Sequence, residues 1–129
     1  MHKKGCGDMN KPMFSFVVPV YGTEEYLPRC LDSLFVQTGD YEVIVVDDCS
    51  PGDVKGICER YQGKCRYVRH EINRGLLQAR LTGLHLASGI YVIPVDSDDY
   101  VLPKLTDFLE KAVIDHDFPD VVSYWVEHQ

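Results

Sequence analysis

An α/β fold, with an open and mostly parallel sheet covered by helices on both faces, is predicted by three features of the sequence. Short β-rich runs alternate with segments of helical periodicity from Phe14 onward, the pattern of successive parallel βαβ units. The runs FSFVVPV and YEVIVV are apolar at almost every position, as strands buried on both faces are. A chain of 129 residues with 45% hydrophobic content can bury one core, which argues for a single domain or a piece of one.

Each element has its own local signal. FSFVVPV (14–20) reads as the first strand. Leu27, Cys30, Leu31, Leu34 and Phe35 then recur at helical spacing, with Thr23, Glu24 and Glu25 as cap and first-turn acids and Pro28 tolerable only near the helix start. YEVIVV (41–46) is the second strand, and Ser50-Pro51 opens a helix carrying Val54, Ile57, Cys58 and Tyr61 on one face. CRYVR (65–69) is shorter and more polar, as an edge strand is. Gly75 to Ser88 is helical, with Leu77, Leu81 and Leu84 aligned and Gly89 as its stop. IYVIPV (90–95) is the fourth strand, Pro103 begins a helix with Leu105, Phe108, Leu109, Ala112 and Val113 inward, and DVVSYWV (120–126) is a fifth strand. Residues 1–13 read as a loose tail and 14–129 as the domain; MHKKGCGDMNKP lacks the apolar centre of a signal peptide.

Composition narrows the function. Thirteen basic residues against twenty acidic ones give a net charge of −7, with no basic block, which argues against nucleic acid as a partner. Five cysteines, at 6, 30, 49, 58 and 65, form no C-x-x-C pair and stand near no histidine at ligand spacing. They suggest a reducing, cytoplasmic setting. No apolar run is long enough to span a membrane. The histidines at 2, 70, 85, 116 and 128 share no useful spacing and read as surface residues.

In parallel sheets, ligands sit beyond the carboxyl ends of the strands. Four polar or small-residue segments fall there: Pro19-Val20-Tyr21, Asp47-Asp48, Asn73-Arg74-Gly75, and the acidic turn of YVIPVDSDDYVLP with Asp96, Asp98 and Asp99. Two carboxylates about 4 Å apart repel by roughly 1 kcal/mol in water and more near a protein surface, so such a cluster needs an offset. Turn and cap hydrogen bonds are one offset. A hard divalent ion, Mg²⁺ or Mn²⁺, is the other, since it takes oxygen ligands and leaves positions open for phosphates. The usual phosphate cradles are missing: PVYGTEEY follows the first strand in place of a glycine fingerprint, and no G-K-[ST] occurs.

The segments FSFVVPVYGTEEYLPRCLDSL, YEVIVVDDCS, NRGLLQAR and GIYVIPVDSDDYVLP, in this order, resemble the nucleotide-binding half of the family 2 inverting glycosyltransferases. That resemblance implies the N-terminal half of a GT-A fold, an open, mostly parallel Rossmann-like sheet. It further implies a nucleotide-sugar donor, most often a UDP-sugar, and a glycan or lipid-linked acceptor. Asp98 resembles the metal ligand that bridges the donor diphosphate, and Asp96 stands near the ribose and the metal. Asp48 resembles the acceptor for a nucleobase N–H, and Pro19, Val20 and Tyr21 the wall against which the base packs. Asn73, Arg74, Gly75 and Arg80 correspond to a segment near the nucleotide. The implied enzyme works in polysaccharide biosynthesis in the cytoplasm, with peripheral association at the inner face of the membrane and homo-oligomerisation as further expectations.

The sequence departs from the family pattern at Gly22, where Asn is common, at Cys49, which replaces Gly or Asn, and at Leu81, which replaces Asn. No catalytic residue is expected within this chain: the general base and the acceptor-binding half are expected beyond Gln129, so that the 129 residues alone are expected to be inactive. Asp47 is either a strand-end turn acid or part of the site, and Asp99 either caps its turn or tunes the metal. Two other classes fit the acidic edge less well. An Asp-nucleophile phosphotransfer or phosphatase domain wants its D-x-D after the first strand, and a noncatalytic receiver-like module wants a late-strand Lys.

Overall fold

The computed structural model describes residues 1–3 and 11–120. Its elements are β1 (His2–Lys3), β2 (Phe14–Val20), α1 (Leu27–Phe35), β3 (Tyr41–Asp47), α2 (Val54–Glu59), β4 (Cys65–Arg69), α3 (Leu76–Leu86), β5 (Tyr91–Pro94) and α4 (Leu105–Asp115). The strands form one sheet in the order β1-β5-β2-β3-β4. β5, β2, β3 and β4 are parallel, in the register Phe14 opposite Tyr91 and Tyr41, and Val43 opposite Cys65. The α/β, mostly parallel architecture is therefore the one read from the sequence, with CRYVR on the edge. The predicted strand 120–126 lies outside the described residues except for Asp120. At the other edge His2–Lys3 pairs antiparallel with Tyr91–Val92, inside the stretch read as a tail.

Helices cover both faces. Alternate β2 residues Phe14, Phe16, Val18 and Val20 pack with Leu27, Cys30, Leu31 and Leu34 of α1, with Val54, Ile57 and Cys58 of α2, and with Leu109 and Val113 of α4. Val17, on the other face of β2, joins Ile44, Val46 and Val92 against Ala79 and Ala87 on the α3 side. The period of two along β2 thus feeds two separate cores.

Four local expectations are corrected. Two of the three aligned α3 leucines do not face the sheet: Leu77 is 72% exposed and Leu81 37%, while Ala79 and Gly83 are buried and Leu84 packs half-buried on the sheet side. The reason is the closeness of approach, because a Cβ on Gly83 would lie 2.1 Å from Val17 Cγ1. Only small residues fit that seam. Thr23 and Glu24 do not cap α1, whose N-cap is Tyr26 with no side-chain bond. Their side chains reach other loops instead, as described below. α2 starts at Val54 and not at Ser50, since Asp53 caps it by accepting from Gly56 N at 3.0 Å. Likewise α4 begins at Leu105, one residue after Lys104, which is left-handed at φ 66°.

Candidate donor site

β2 has β3 on one side and β5 on the other, and the chain leaves it towards α1 on one face while α3 lies on the opposite face. This is the point where the strand order reverses, and it opens a crevice beyond the carboxyl ends of β2 and β5. A cavity of about 330 Å³ occupies it. Pro19, Val20 and Tyr21 line it from the end of β2, Asp48 from the end of β3, and Asp96, Ser97 and Asp98 from the turn after β5. Three of the four segments expected at this edge therefore meet in one cavity.

The fourth segment arrives through its backbone. Arg74 N and Gly75 N donate to Asp48 Oδ1 and Oδ2 at 2.8 and 2.9 Å. Gly75 takes φ 91°, a conformation that favours glycine, and serves as the N-cap of α3. Asn73 is exposed and does not line the cavity. Thr23, Leu76 and Ala79 do line it, and the sequence had not singled them out as site residues.

The two neighbouring acids of β3 divide their work. Asp47 is fully buried: it accepts from Ser50 N at 2.9 Å, Tyr67 Oη at 2.5 Å and Arg69 Nη1 at 2.8 Å. It ties the end of β3 to β4 and does not line the cavity. Asp48 is 2% exposed. Burial pushes its carboxyl up, but the N–H groups of Arg74 and Gly75 and the ring of His70 outweigh this and hold it below the ordinary value of 3.8.

His70 corrects the surface assignment given to the histidines. It is 8% exposed, with Nδ1 2.8 Å from Asp48 Oδ1 and Nε2 2.8 Å from Thr82 Oγ1. Sequence spacing alone missed it, although it stands at the exit of β4, just before Asn73-Arg74-Gly75. Cys49, beside the acids, has φ 59°, the conformation that explains why Gly or Asn suits this position.

The acidic turn is stapled along α1. Thr23 Oγ1 bonds Ser97 Oγ, and Asp99 N closes the turn on Asp96 O at 2.9 Å. Arg29 Nη2 donates to Asp98 O at 3.0 Å, and its guanidinium lies 4.9 Å from the centre of the Tyr100 ring. Ser33 Oγ accepts from Val101 N at 3.0 Å, and Gln37 Nε2 donates to Leu102 O at 2.9 Å. On the cavity's other side, Glu24 accepts from Ser50 Oγ and Gly52 N, which joins the loops after β2 and β3.

Asp96, Asp98 and Asp99 each offer a carboxylate oxygen, all within 4.8 Å of one another. Asp96 Oδ1 also accepts from Arg80 Nη2 at 3.0 Å, and Arg80 Nε is buried without a partner among the described residues. The negative field is felt nearby: burial, then Asp99, Asp98 and Asp96, push the Cys30 thiol up to about 12. An all-oxygen set of this kind fits a hard divalent ion.

The described residues contain no helix long and apolar enough to cross a membrane. Residues 15–128 match the sequence model of glycosyl transferase family 2. The uncharacterized glycosyltransferase EpsJ of Bacillus subtilis is 39% identical over 111 residues, which are 81% of this chain and 32% of EpsJ. The poly(ribitol-phosphate) β-N-acetylglucosaminyltransferase TarS of Staphylococcus aureus is 36% identical over 84% of this chain and 20% of its own. The crystal structure of S. aureus TarS 1-349 in complex with UDP superposes at TM-score 0.76 and 34% identity, over 81% of this chain and 32% of that one. A mannosyltransferase from Pyrobaculum calidifontis in complex with GDP-Man and Mn²⁺ gives TM-score 0.69 at 26% identity, over 81% of this chain and 32% of its own. The chain thus spans about a third or less of the length of these relatives. With four motifs in order, a GT-A sheet and a family match over nearly its whole length, the chain belongs to glycosyl transferase family 2.

Proposed function

We propose that residues 14–129 form the donor-binding part of an inverting, metal-assisted glycosyltransferase that takes a UDP-sugar and glycosylates a glycan or lipid-linked acceptor. The observation that carries this reading is the meeting of an apolar wall, a buried acceptor and a carboxylate cluster in one crevice at the switch point. Pro19, Val20 and Tyr21 pack one face of the base, and Asp48 accepts its N–H. Arg74 and Gly75 hold Asp48 through their backbone, and Asn73 borders the nucleotide from the same loop. Arg80 restrains Asp96 beside the ribose.

Asp98 and Asp96, with Asp99 beside them, would hold Mg²⁺ or Mn²⁺. A bound ion of this kind neutralises charge developing on a leaving diphosphate. The general base is assigned to residues beyond Gln129, because the carboxylates at this edge are already engaged. Asp115, Asp117 and Asp120 flank the opposite edge, where Tyr91 Oη, at the start of β5, donates to Pro119 O at 2.5 Å. Glu127 lies outside the described residues. An Asp-nucleophile mechanism is disfavoured because β2 ends in Pro19 and Val20 and is followed by Tyr21 and Gly22, with no D-x-D there. In the whole enzyme we place this part in polysaccharide biosynthesis at the cytoplasmic face of the membrane, in a homo-oligomer.

Thermal shift with UDP, CDP, ADP and GDP, each with and without Mn²⁺, tests the reading. Ligand at a hundred times its dissociation constant stabilises by about 2.7 kcal/mol. UDP with Mn²⁺ is expected to give the largest shift, and a UDP response equal with and without metal would refute the metal assignment.

A further inference from the structure

We infer that His70 is the positioning residue for the nucleobase acceptor: through Thr82, His70 and Asp48 it leaves the site a single aimed acceptor, which selects a base with one imide N–H. This rests on the reading of Asp48 as the base acceptor and names what makes that acceptor selective.

An ionised carboxylate has about four acceptor positions. On Asp48, Oδ1 takes His70 Nδ1 and Arg74 N, and Oδ2 takes Gly75 N. Among the described residues one position therefore remains, on Oδ2. Because an ionised Asp48 only accepts, Nδ1 of His70 must donate. In the neutral ring Nε2 is then an acceptor, and the Thr82 hydroxyl supplies its proton at 2.8 Å. Thr82 lies on α3, the helix that also brings Ala79 to the cavity wall, and His70 N is itself fixed by Asp47 O at 2.8 Å. The residue is thus anchored at three points, two on the ring and one on the backbone, and the ring blocks the Oδ1 side of Asp48 from a ligand.

The chemistry follows from that geometry. Uracil presents one N–H between two carbonyls and matches one remaining acceptor. Guanine presents two adjacent donors and would leave one without a partner, while cytosine has no proton on its ring N3 at neutral pH. Without His70, Oδ1 is released to water or to rotation, and the distinction between bases weakens while the apolar wall persists.

Two variants separate the ring's two bonds. The amide of His70→Asn reaches the Nδ1 position and keeps the Asp48 bond, whereas that of His70→Gln reaches the Nε2 position and keeps only the Thr82 bond. Calorimetric dissociation constants for UDP and CDP with Mn²⁺ give the selectivity ratio. His70→Gln is expected to lower the UDP-over-CDP ratio by about tenfold, and His70→Asn to hold it within about threefold. Equal weakening of both nucleotides in His70→Gln would make His70 merely structural and overturn the inference. Asp48→Asn is the control: if it leaves the ratio unchanged, the base-acceptor reading itself fails. If it collapses the ratio and His70→Gln does not, only the role of His70 fails. Nitrogen NMR of the wild-type chain decides independently of how the variants fold. A protonated Nδ1 on His70 is expected, and an unprotonated Nδ1 would overturn the proposal.

Discussion

Arg29 on α1 donates from Nη2 to the backbone carbonyl of Asp98 at 3.0 Å, a bond that joins residues 69 apart at the tip of the acidic turn. The same guanidinium lies over Tyr100, so the turn is held by a hydrogen bond and a cation–π contact together. Both are exposed and individually small, about 0.5–1.5 kcal/mol for the bond and about 0.5–1 for the ring contact. Arg29→Ala is therefore expected to weaken Mn²⁺ binding by roughly three- to tenfold with little loss of fold stability. Lys cannot form the planar stack, so Arg29→Lys is expected to recover only part of the affinity. Calorimetry with Mn²⁺ checks both, and unchanged affinity in Arg29→Ala would separate the turn's geometry from metal binding.

The seam between α3 and β2 sets a second expectation. Since a Cβ on Gly83 would meet Val17 Cγ1 at 2.1 Å, Gly83→Ala must push α3 outward or force Val17 off its rotamer. Overpacking of this kind costs about 1–3 kcal/mol, against a helix-propensity gain for Ala of about 1. A net destabilisation is expected in urea titration, and Val17→Ala in the Gly83→Ala background should cost less than in the wild type. Additivity of the two changes would mean that the contact does not limit packing.

That seam also explains what the sequence could convey. Phe14–Val20 and Cys65–Arg69 were legible to the residue, because apolar β-rich runs bounded by polar turns have one reading. The wall residues Pro19, Val20 and Tyr21 and the acids Asp48, Asp96 and Asp98 were legible as neighbours, because parallel βαβ order places strand ends on one edge. The helix α3 was legible, but its inward face was not, because Ala79 and Gly83 face the sheet by being small, and apolar spacing favours the larger leucines. His70 was missed for a related reason. Its partners Asp48 and Thr82 are 22 and 12 residues away, a relation that no local spacing encodes. The pairing of His2–Lys3 with β5 is too short to have a periodicity.

Acid sensitivity follows from the carboxylates whose ionised form is bonded. Burial pushes Glu42 up, but the hydroxyls of Ser15 and Ser88 and neighbouring N–H groups hold it below the ordinary 4.5. The Ser50 hydroxyl does the same for Glu24, with burial opposing it. For Asp48 the backbone N–H groups and His70 overcome burial. Each folded value lies below the unfolded one, so the stabilisation is complete above the ordinary carboxylate values and is lost as pH falls through the folded ones. Urea midpoints are expected to show no loss from these three groups down to about pH 5 and to fall below about pH 4.5. Glu42→Gln should flatten the fall. A midpoint constant down to pH 3 would show that these bonds do not stabilise the ionised forms.

The carboxylates of the turn after β5 give an expectation with opposite signs in two conditions. Asp96, Asp98 and Asp99 hold ligand oxygens within 4.8 Å of one another, and Arg80 donates to Asp96. Asp98 is exposed at the cavity, and Arg29 bonds its backbone carbonyl and not its carboxylate. Without metal the cluster is therefore a source of repulsion, of the order of 1 kcal/mol per close pair in water. Asp98→Asn removes one charge from that cluster and is expected to raise the urea midpoint slightly in EDTA. In Mn²⁺ the order reverses, because the wild type gains the ligation energy and the variant loses one anionic oxygen donor. Asp96→Asn should differ in kind: it releases Arg80, whose Nε is already buried without a partner among the described residues, so the repulsion relieved is offset by the loss of the Arg80 bond. Its midpoint in EDTA is expected to stay level or fall. Paired urea titrations of the two variants in EDTA and in Mn²⁺ give the comparison. Equal behaviour of both variants in both media would mean that the three acids act as solvated turn residues and hold no ion.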